Sequence, residues 1–214
     1  MPPVKGGIVR AAISTAYPWD GEVEISIGDT VAEPWTLSIR VPEWCSRAAA
    51  DLGGTEKVAE SGPGTIELTR TWRAGDRVVL KLDMPPRATV PDPRIDAVRG
   101  TIALERGPLV YAVEDADLPA GKSVEALEVP ASPQLEAVTS SEPGLGELTW
   151  LSLDAMLRDD PPSRTWPYRA ATGAATAAPA RPAKIRALPY YAWGNRAGLG
   201  MRVWLPTRSH KGDD

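Results

Sequence analysis

Apolar and polar residues alternate through the first half of this chain. In Glu22–Gly28, Val23, Ile25 and Ile27 share one face, while Glu22, Glu24 and Ser26 take the other. In Trp35–Val41, Trp35, Leu37, Ile39 and Val41 face one way, and Thr36, Ser38 and Arg40 the other. Successive side chains of a strand point to opposite faces, so this period predicts half-buried antiparallel strands. Pro42 has no N–H to donate and ends the ladder. Ile66 and Leu68 repeat the pattern before Trp72. Arg73-Ala74-Gly75-Asp76 then turns the chain into Arg77–Asp83, where Val78, Leu80 and Leu82 line up. Thr101–Glu105 and Leu109–Val113 read as a pair joined through Arg106-Gly107-Pro108. That makes about seven strands by Val113, with turn signals at the spacing of a sandwich or barrel.

Between strands, Tyr17-Pro18-Trp19-Asp20-Gly21 stands out. Pro18 fixes one backbone angle, and Asp20-Gly21 suits a tight reversal because Gly accepts positive φ. A solvated turn has no need of a Tyr and a Trp, each with roughly 150–250 Å² to bury, so this turn is expected to pack against something.

The texture changes after Glu114. Asp115–Gly146 is richer in Pro, Gly and Ser. Leu148–Leu157 fits either a strand or a short helix. Residues 170–183 are Ala-rich, but Gly173, Pro179 and Pro182 interrupt them, which predicts a loop. Lys184–Tyr191 and Gly200–Leu205 are strong segments, the second alternating through Met201, Val203 and Leu205. The expectation is an all-β chain of two antiparallel β-sandwich (jelly-roll-like) sub-domains. The first covers residues 1–116 and the smaller second 117–206, with 207–214 as a disordered tail.

Composition supports a folded core: 43% of the 214 residues are hydrophobic. The 22 Pro and 19 Gly favour short strands joined by turns. Eight Trp and no Phe make Trp and Tyr the carriers of aromatic packing. A net charge of −4, with neither half basic, gives no reason to expect a nucleic-acid partner. No apolar run reaches the roughly 18 residues that read as a membrane span. The first residues lack a signal-peptide core, which predicts a cytoplasmic protein or a piece of something longer.

Chemistry is sparse. His210 is the only His and Cys45 the only Cys, so a cysteine–histidine metal site or a Ser–His–Asp triad finds no parts. With no His near it in sequence to raise its thiolate character, Cys45 reads as a small buried side chain. Gly198-Leu199-Gly200 is too short for a phosphate-cradling loop. Among the carboxylates, Glu114-Asp115-Ala116-Asp117 is densest, but it lacks the spacing of a calcium loop and reads as a solvated turn. Asp159-Asp160 reads as loop punctuation. Tyr190, Tyr191 and Trp193, followed by Asn195 and Arg196, fit two roles. They form a sugar platform, or they fill a junction with Asn195 and Arg196 tying down backbone carbonyls.

Taken together, these segments resemble glycoside hydrolase family 127, the β-L-arabinofuranosidase family. Residues 15–21 resemble its T-x-Y-P-W-D-G element, and Leu37–Cys45 its R-I-P-x-W-C strand. Residues 70–76 match its R-x-W-x-x-G-D turn, and Glu105–Tyr111 look like its R-G-P-L-V-Y strand. Ile185–Arg196 resemble its closing P-Y-Y-A-W-x-N-R, with Met201–Leu205 completing an M-x-V-W pattern. The segments occur in family order. One departure is Asp51-Leu52-Gly53-Gly54, where the family has a V-N-G turn.

The resemblance implies a division of labour. In the family an (α/α)6 barrel carries the active site, with a zinc-coordinated cysteine nucleophile and glutamates, and two β-sandwich domains follow it. This chain matches only the β domains. No catalytic residue, metal ligand or cofactor transfers, and Cys45 falls in the strand-end motif. Only about a dozen residues precede Thr15, so a first strand is expected to be lacking and the chain to be truncated, with an unpaired sheet edge. The expected partner is a catalytic barrel, in cis or separately encoded. Tyr17, Trp19, Asp20, Tyr190, Tyr191, Trp193, Asn195 and Arg196 are the candidate interface or sugar-contact residues. A free-standing carbohydrate-binding module and an enzyme with a carboxylate pair are the alternatives.

Overall fold

The computed structural model describes residues 7–53, 59–159, 179–198 and 200–208. Regular structure there is β-strand, interrupted by short 3-10 turns, so the protein is all-β. No helix among the described residues is long and apolar enough to cross a membrane.

The chain divides into two compact units, residues 1–85 and 86–214. The boundary expected at 116 therefore moves to Pro85. The strands at Thr101–Arg106 and Leu109–Glu114 share the alternation of the first unit, but their partners come from further along the chain. Pairing, not texture, decides which unit a strand joins.

Among the described residues, the first unit has seven strands: β1 (Ala11–Thr15), β2 (Glu22–Ile27), β3 (Trp35–Val41), β4 (Ala48–Asp51), β5 (Ala59–Ser61), β6 (Gly64–Arg70) and β7 (Arg77–Leu82). One sheet runs β1-β2-β7-β4-β5, and β3 pairs with β6 in a second. Ile25, Ile27, Val78 and Leu80 from the first sheet meet Ile39, Val41, Ile66 and Leu68 from the second in one core. This is the predicted sandwich. Trp72 is buried in it and satisfies its indole N–H on the Trp35 carbonyl at 3.1 Å.

A strand precedes the aromatic turn, as the turn's place between strands predicts, although the resemblance implied that a first strand would be lacking: β1 pairs with β2 over its whole length. The turn between them is held by side chains. Asp20 Oδ1 accepts the Glu22 N–H at 2.6 Å, and Thr15 Oγ1 donates to the Glu22 carbonyl at 2.6 Å. Gly21 is required for closeness, not for positive φ. A Cβ there would lie 2.1 Å from the Leu82 carbonyl oxygen, because Leu82 donates its N–H to Gly21 at 2.9 Å.

The second unit contains β8 (Pro86–Thr89), β9 (Thr101–Arg106), β10 (Leu109–Glu114), β11 (Leu127–Pro130), β12 (Glu136–Glu142), β13 (Gly146–Arg158), β14 (Ala180–Pro189), β15 (Met201–Arg202) and β16 (Leu205–Arg208). Its sheet curls until β9 also pairs with β10. That closes a ring of six strands, β9-β10-β14-β13-β11-β16, in which only β11 and β16 run parallel. The ring is filled by Leu104, Tyr111, Leu127, Leu151, Ile185 and Leu205 with their neighbours. On its outer wall, Ala112, Trp150 and Leu188 form a smaller cluster with Ala192.

Leu148–Leu157 is thus strand. Residues 180–183, expected in a loop, are extended along β13, with Pro182 opposite Met156. The rest of the Ala-rich stretch, residues 170–178, lies outside the described residues. Thr207 and Arg208, expected in the tail, belong to β16, which β11 and β9 both grip. Residues 209–214, with His210, lie outside the described residues.

Candidate functional site

The eight candidate residues fall into two groups, one in each unit. In the first unit, Tyr17 is half-buried and stacks on Trp44 with ring centroids 6.4 Å apart and planes at 18°. Trp19, two residues on, is 57% exposed. Only half of this turn is packed as expected. Asp20 is occupied in holding the turn.

In the second unit, β14 ends at Pro189 and leads into a 3-10 turn, Tyr190–Ala192. Ala192 is buried on the outer wall beside Trp150. Tyr190, Tyr191 and Trp193 point the other way and are exposed at 45%, 51% and 42%. The Tyr190 and Trp193 rings lie 6.0 Å apart with planes tilted by 32°, so they do not form one flat platform. Asn195 ties the turn to itself, donating to the carbonyls of Ala192 at 3.0 Å and Trp193 at 3.3 Å.

Beneath this loop, residues far apart in the sequence come together. The run Glu114–Asp117 was expected to be a solvated turn, and Arg196 to bind carbonyls. Instead they bind each other. Glu114 is buried, and the Asp117 side chain is wholly so. Arg196 donates Nε and Nη2 to Glu114 Oε2, and Nη1 to Asp117 Oδ1 at 2.9 Å. Its Nη2 also reaches Asp117 Oδ2 at 2.7 Å. Glu114 Oε1 takes the Gly194 N–H at 2.7 Å. The third carboxylate, Asp115, accepts the N–H groups of Val124 at 2.9 Å and Gly200 at 2.8 Å. A Cβ on Gly200 would lie 2.5 Å from Asp115 Oδ1, so a larger residue there would displace that carboxylate.

The network extends outward. Arg186 donates Nε to Asp117 Oδ1 at 3.2 Å and lies 3.1 Å from Glu142. Both guanidinium groups cover the Trp150 ring, Arg186 at 4.0 Å and Arg196 at 5.2 Å from its centroid. The Asp117 hydrogen bonds, and then those of Glu114, push the Arg196 pKa above its ordinary value against the opposing effect of burial. Arg196 is therefore a fixed cation at every pH the fold survives, and a buried pair of this kind is stabilised by its many charge-assisted bonds.

These contacts leave the acidic turn committed to the protein's own backbone and guanidinium groups. Among the described residues, no group of three or more His, Cys, Asp or Glu is placed to hold a metal ion. Two shallow grooves in the second unit, about 430 and 340 Å³, are lined by residues 86–88, Val90, Pro91, Pro93, residues 99–102, residues 131–135 and Thr207, and neither lining includes a carboxylate. Cys45 is fully buried in the first unit and donates to the Arg47 carbonyl at 3.1 Å. Asp159 pairs with Lys122 at 3.4 Å, and Asp160 lies outside the described residues. What the second unit presents is a rigid aromatic loop, held from below by three carboxylates.

Comparison with known proteins gives these features a context. Residues 86–206 match the glycoside hydrolase family 127 C-terminal domain, and residues 3–84 the β-L-arabinofuranosidase GH127 middle domain. A non-reducing end β-L-arabinofuranosidase from Bifidobacterium longum subsp. longum is 29% identical over 199 residues, 88% of this chain. A GH127 β-L-arabinofuranosidase structure from Geobacillus stearothermophilus is 30% identical over 94% of the chain, with a TM-score of 0.78. A GH127 β-arabinofuranosidase at 24% identity and a TM-score of 0.73 shares the fold. The chain spans 29% of the Bifidobacterium protein and 31% of the Geobacillus chain.

Proposed function

Since the chain belongs to glycoside hydrolase family 127 and carries its middle and C-terminal domains in order, we propose that it is a non-catalytic support for a β-L-arabinofuranosidase-type barrel. The barrel would be supplied in cis or as a separate chain, and zinc would reside there. The observation that carries this reading is the loop Tyr190–Trp193. Three large aromatics are held out to solvent by a buried ion-pair network, although the second unit closes its own cores without them. A Tyr- and Trp-rich patch on a fixed backbone is the composition of a docking hot spot. The tilt between Tyr190 and Trp193 suits the irregular surface of a protein better than the flat faces of successive sugar rings. The share of its relatives that the chain spans agrees with a partner that holds the remaining machinery.

The carboxylate-pair alternative has less support. The close pair Glu114 and Asp117 shares one Arg and is buried, so neither carboxylate is free to meet a substrate. The purified chain assayed on aryl arabinofuranosides, with and without Zn²⁺, is expected to give no turnover. Turnover abolished by Cys45→Ser or by Glu114→Gln would overturn the proposal.

A further inference from the structure

The aromatic turn of the first unit carries more ring surface than the core beneath it covers. Trp72 is buried in that core, with its ring centroid 5.4 Å from that of Trp35. Tyr17 and Trp44 pack against the same core but are only half-buried, and Trp19 is 57% exposed. The planes of Tyr17 and Trp44 lie within 18° of parallel, whereas Tyr190 and Trp193 in the second unit are tilted by 32°. Short turns hold the rings in place. Trp19 and Asp20 donate their N–H groups to the Ala16 carbonyl at 3.0 and 3.3 Å, and Tyr17 donates its own to Thr15 Oγ1 at 3.0 Å. Next to Trp44, the buried Cys45 donates its N–H to the Pro42 carbonyl at 3.0 Å. The rings are thus fixed before any ligand arrives, which lowers the entropy lost on binding.

Charge around the rings selects the ligand. Glu43, beside Trp44 in sequence, and Asp20, beside Trp19, are both exposed. Asp20 binds the Glu22 N–H through Oδ1. Among the described residues, neither Asp20 Oδ2 nor the Glu43 carboxylate has a hydrogen-bond or ion-pair partner. An apolar protein face laid over this turn would strip water from carboxylates without replacing it. Phosphates would be repelled by the same two charges. A neutral sugar meets neither obstacle. Its C–H groups rest on the negative face of an aromatic ring, and its hydroxyls donate to carboxylate oxygens. We propose that Tyr17, Trp19 and Trp44 form a binding site for a neutral oligosaccharide, with Glu43 and Asp20 accepting its hydroxyls. Several rings along one turn call for a ligand of more than one sugar unit. The site lies in the first unit and the docking loop in the second, so this inference does not rest on the barrel proposal.

Calorimetric titration of the full 214-residue chain with xylotetraose, cellotetraose and arabinotetraose tests it. At least one is expected to bind with a dissociation constant of about 1 mM or below, and its monosaccharide much more weakly. Trp44→Ala should weaken that binding at least about tenfold, and Trp44→Phe should keep most of it, since a ring face remains. If circular dichroism shows that Trp44→Ala unfolds, Trp19→Ala and Glu43→Gln replace it. Both change exposed side chains, and each should weaken binding at least about fivefold. The combined variant Tyr190→Ala, Tyr191→Ala, Trp193→Ala should bind the sugar as the native chain does. Failure of all three tetrasaccharides to bind overturns the proposal. So does binding indifferent to Trp19→Ala, Trp44→Ala and Glu43→Gln, or binding lost in the combined variant. A turn that ignores sugars yet takes up an isolated catalytic barrel, and releases it on Trp19→Ala, overturns it as well.

Discussion

Arg196 shows how much a single side chain holds in this protein. Removing it leaves Glu114 and Asp117 as buried carboxylates without their counter-charge, and breaking such a pair costs about 3–5 kcal/mol. Arg196→Ala should lower the urea midpoint of the second unit accordingly. Arg196→Lys should recover little, since an ammonium cannot reproduce the fork that spans two carboxylates. Tyr111 makes the opposite case. Its hydroxyl is buried with no hydrogen-bond partner among the described residues, and burial pushes its pKa up to about 12. The folded chain then holds that proton between about pH 10 and 12 while the unfolded chain releases it. Stability should fall across that window, by about 2–3 kcal/mol at most. Alkaline melts should show this fall for the native chain and a smaller one for Tyr111→Phe, which loses no hydrogen bond at neutral pH. Neither residue's set of contacts was legible in the sequence. Arg196 was seen as a residue that fastens its loop, but its partners lie 79 and 82 positions away. An isolated acidic run gives no sign that guanidinium groups will close over it.

At the level of elements, alternation carried the reading. Every strand expected from Glu22 to Val113 is present, because each has one buried face and the period reports burial directly. Closure was not legible. The pairings that make a barrel of the second unit, β9 with β10 around one side and β11 with β16 in parallel, depend on strand curvature and long-range order. Nor did local composition reveal that Ala180–Ala183 would extend β14. The order of the sheet predicts graded stability. β13 lies between β14 and β11 and contributes four side chains to the barrel core, whereas β12 pairs only with β13 and is mostly exposed. Hydrogen exchange should find the β13 amides from Leu151 to Leu157 among the slowest of the second unit, and those of β12 among the fastest. Equal protection of the two would contradict this order.

At the scale of the whole molecule, the two units differ in architecture. The first is a two-layer sandwich, and the second a closed barrel with three part-exposed aromatics on one loop. Neither arrangement brings free acid, base and nucleophile together among the described residues. Tyr190, Tyr191 and Trp193 were legible as a group from their sequence spacing. What they face was not, since three aromatics in a row serve a sugar or a protein equally well until their tilt and support are seen. The direct measurement is titration of the full chain with an isolated catalytic barrel of the same family, followed by calorimetry. A stoichiometric complex is expected, weakened at least about a hundredfold, or some 2.7 kcal/mol, when Tyr190, Tyr191 and Trp193 are all replaced by Ala. No complex, or one that the triple replacement leaves unchanged, would contradict the account.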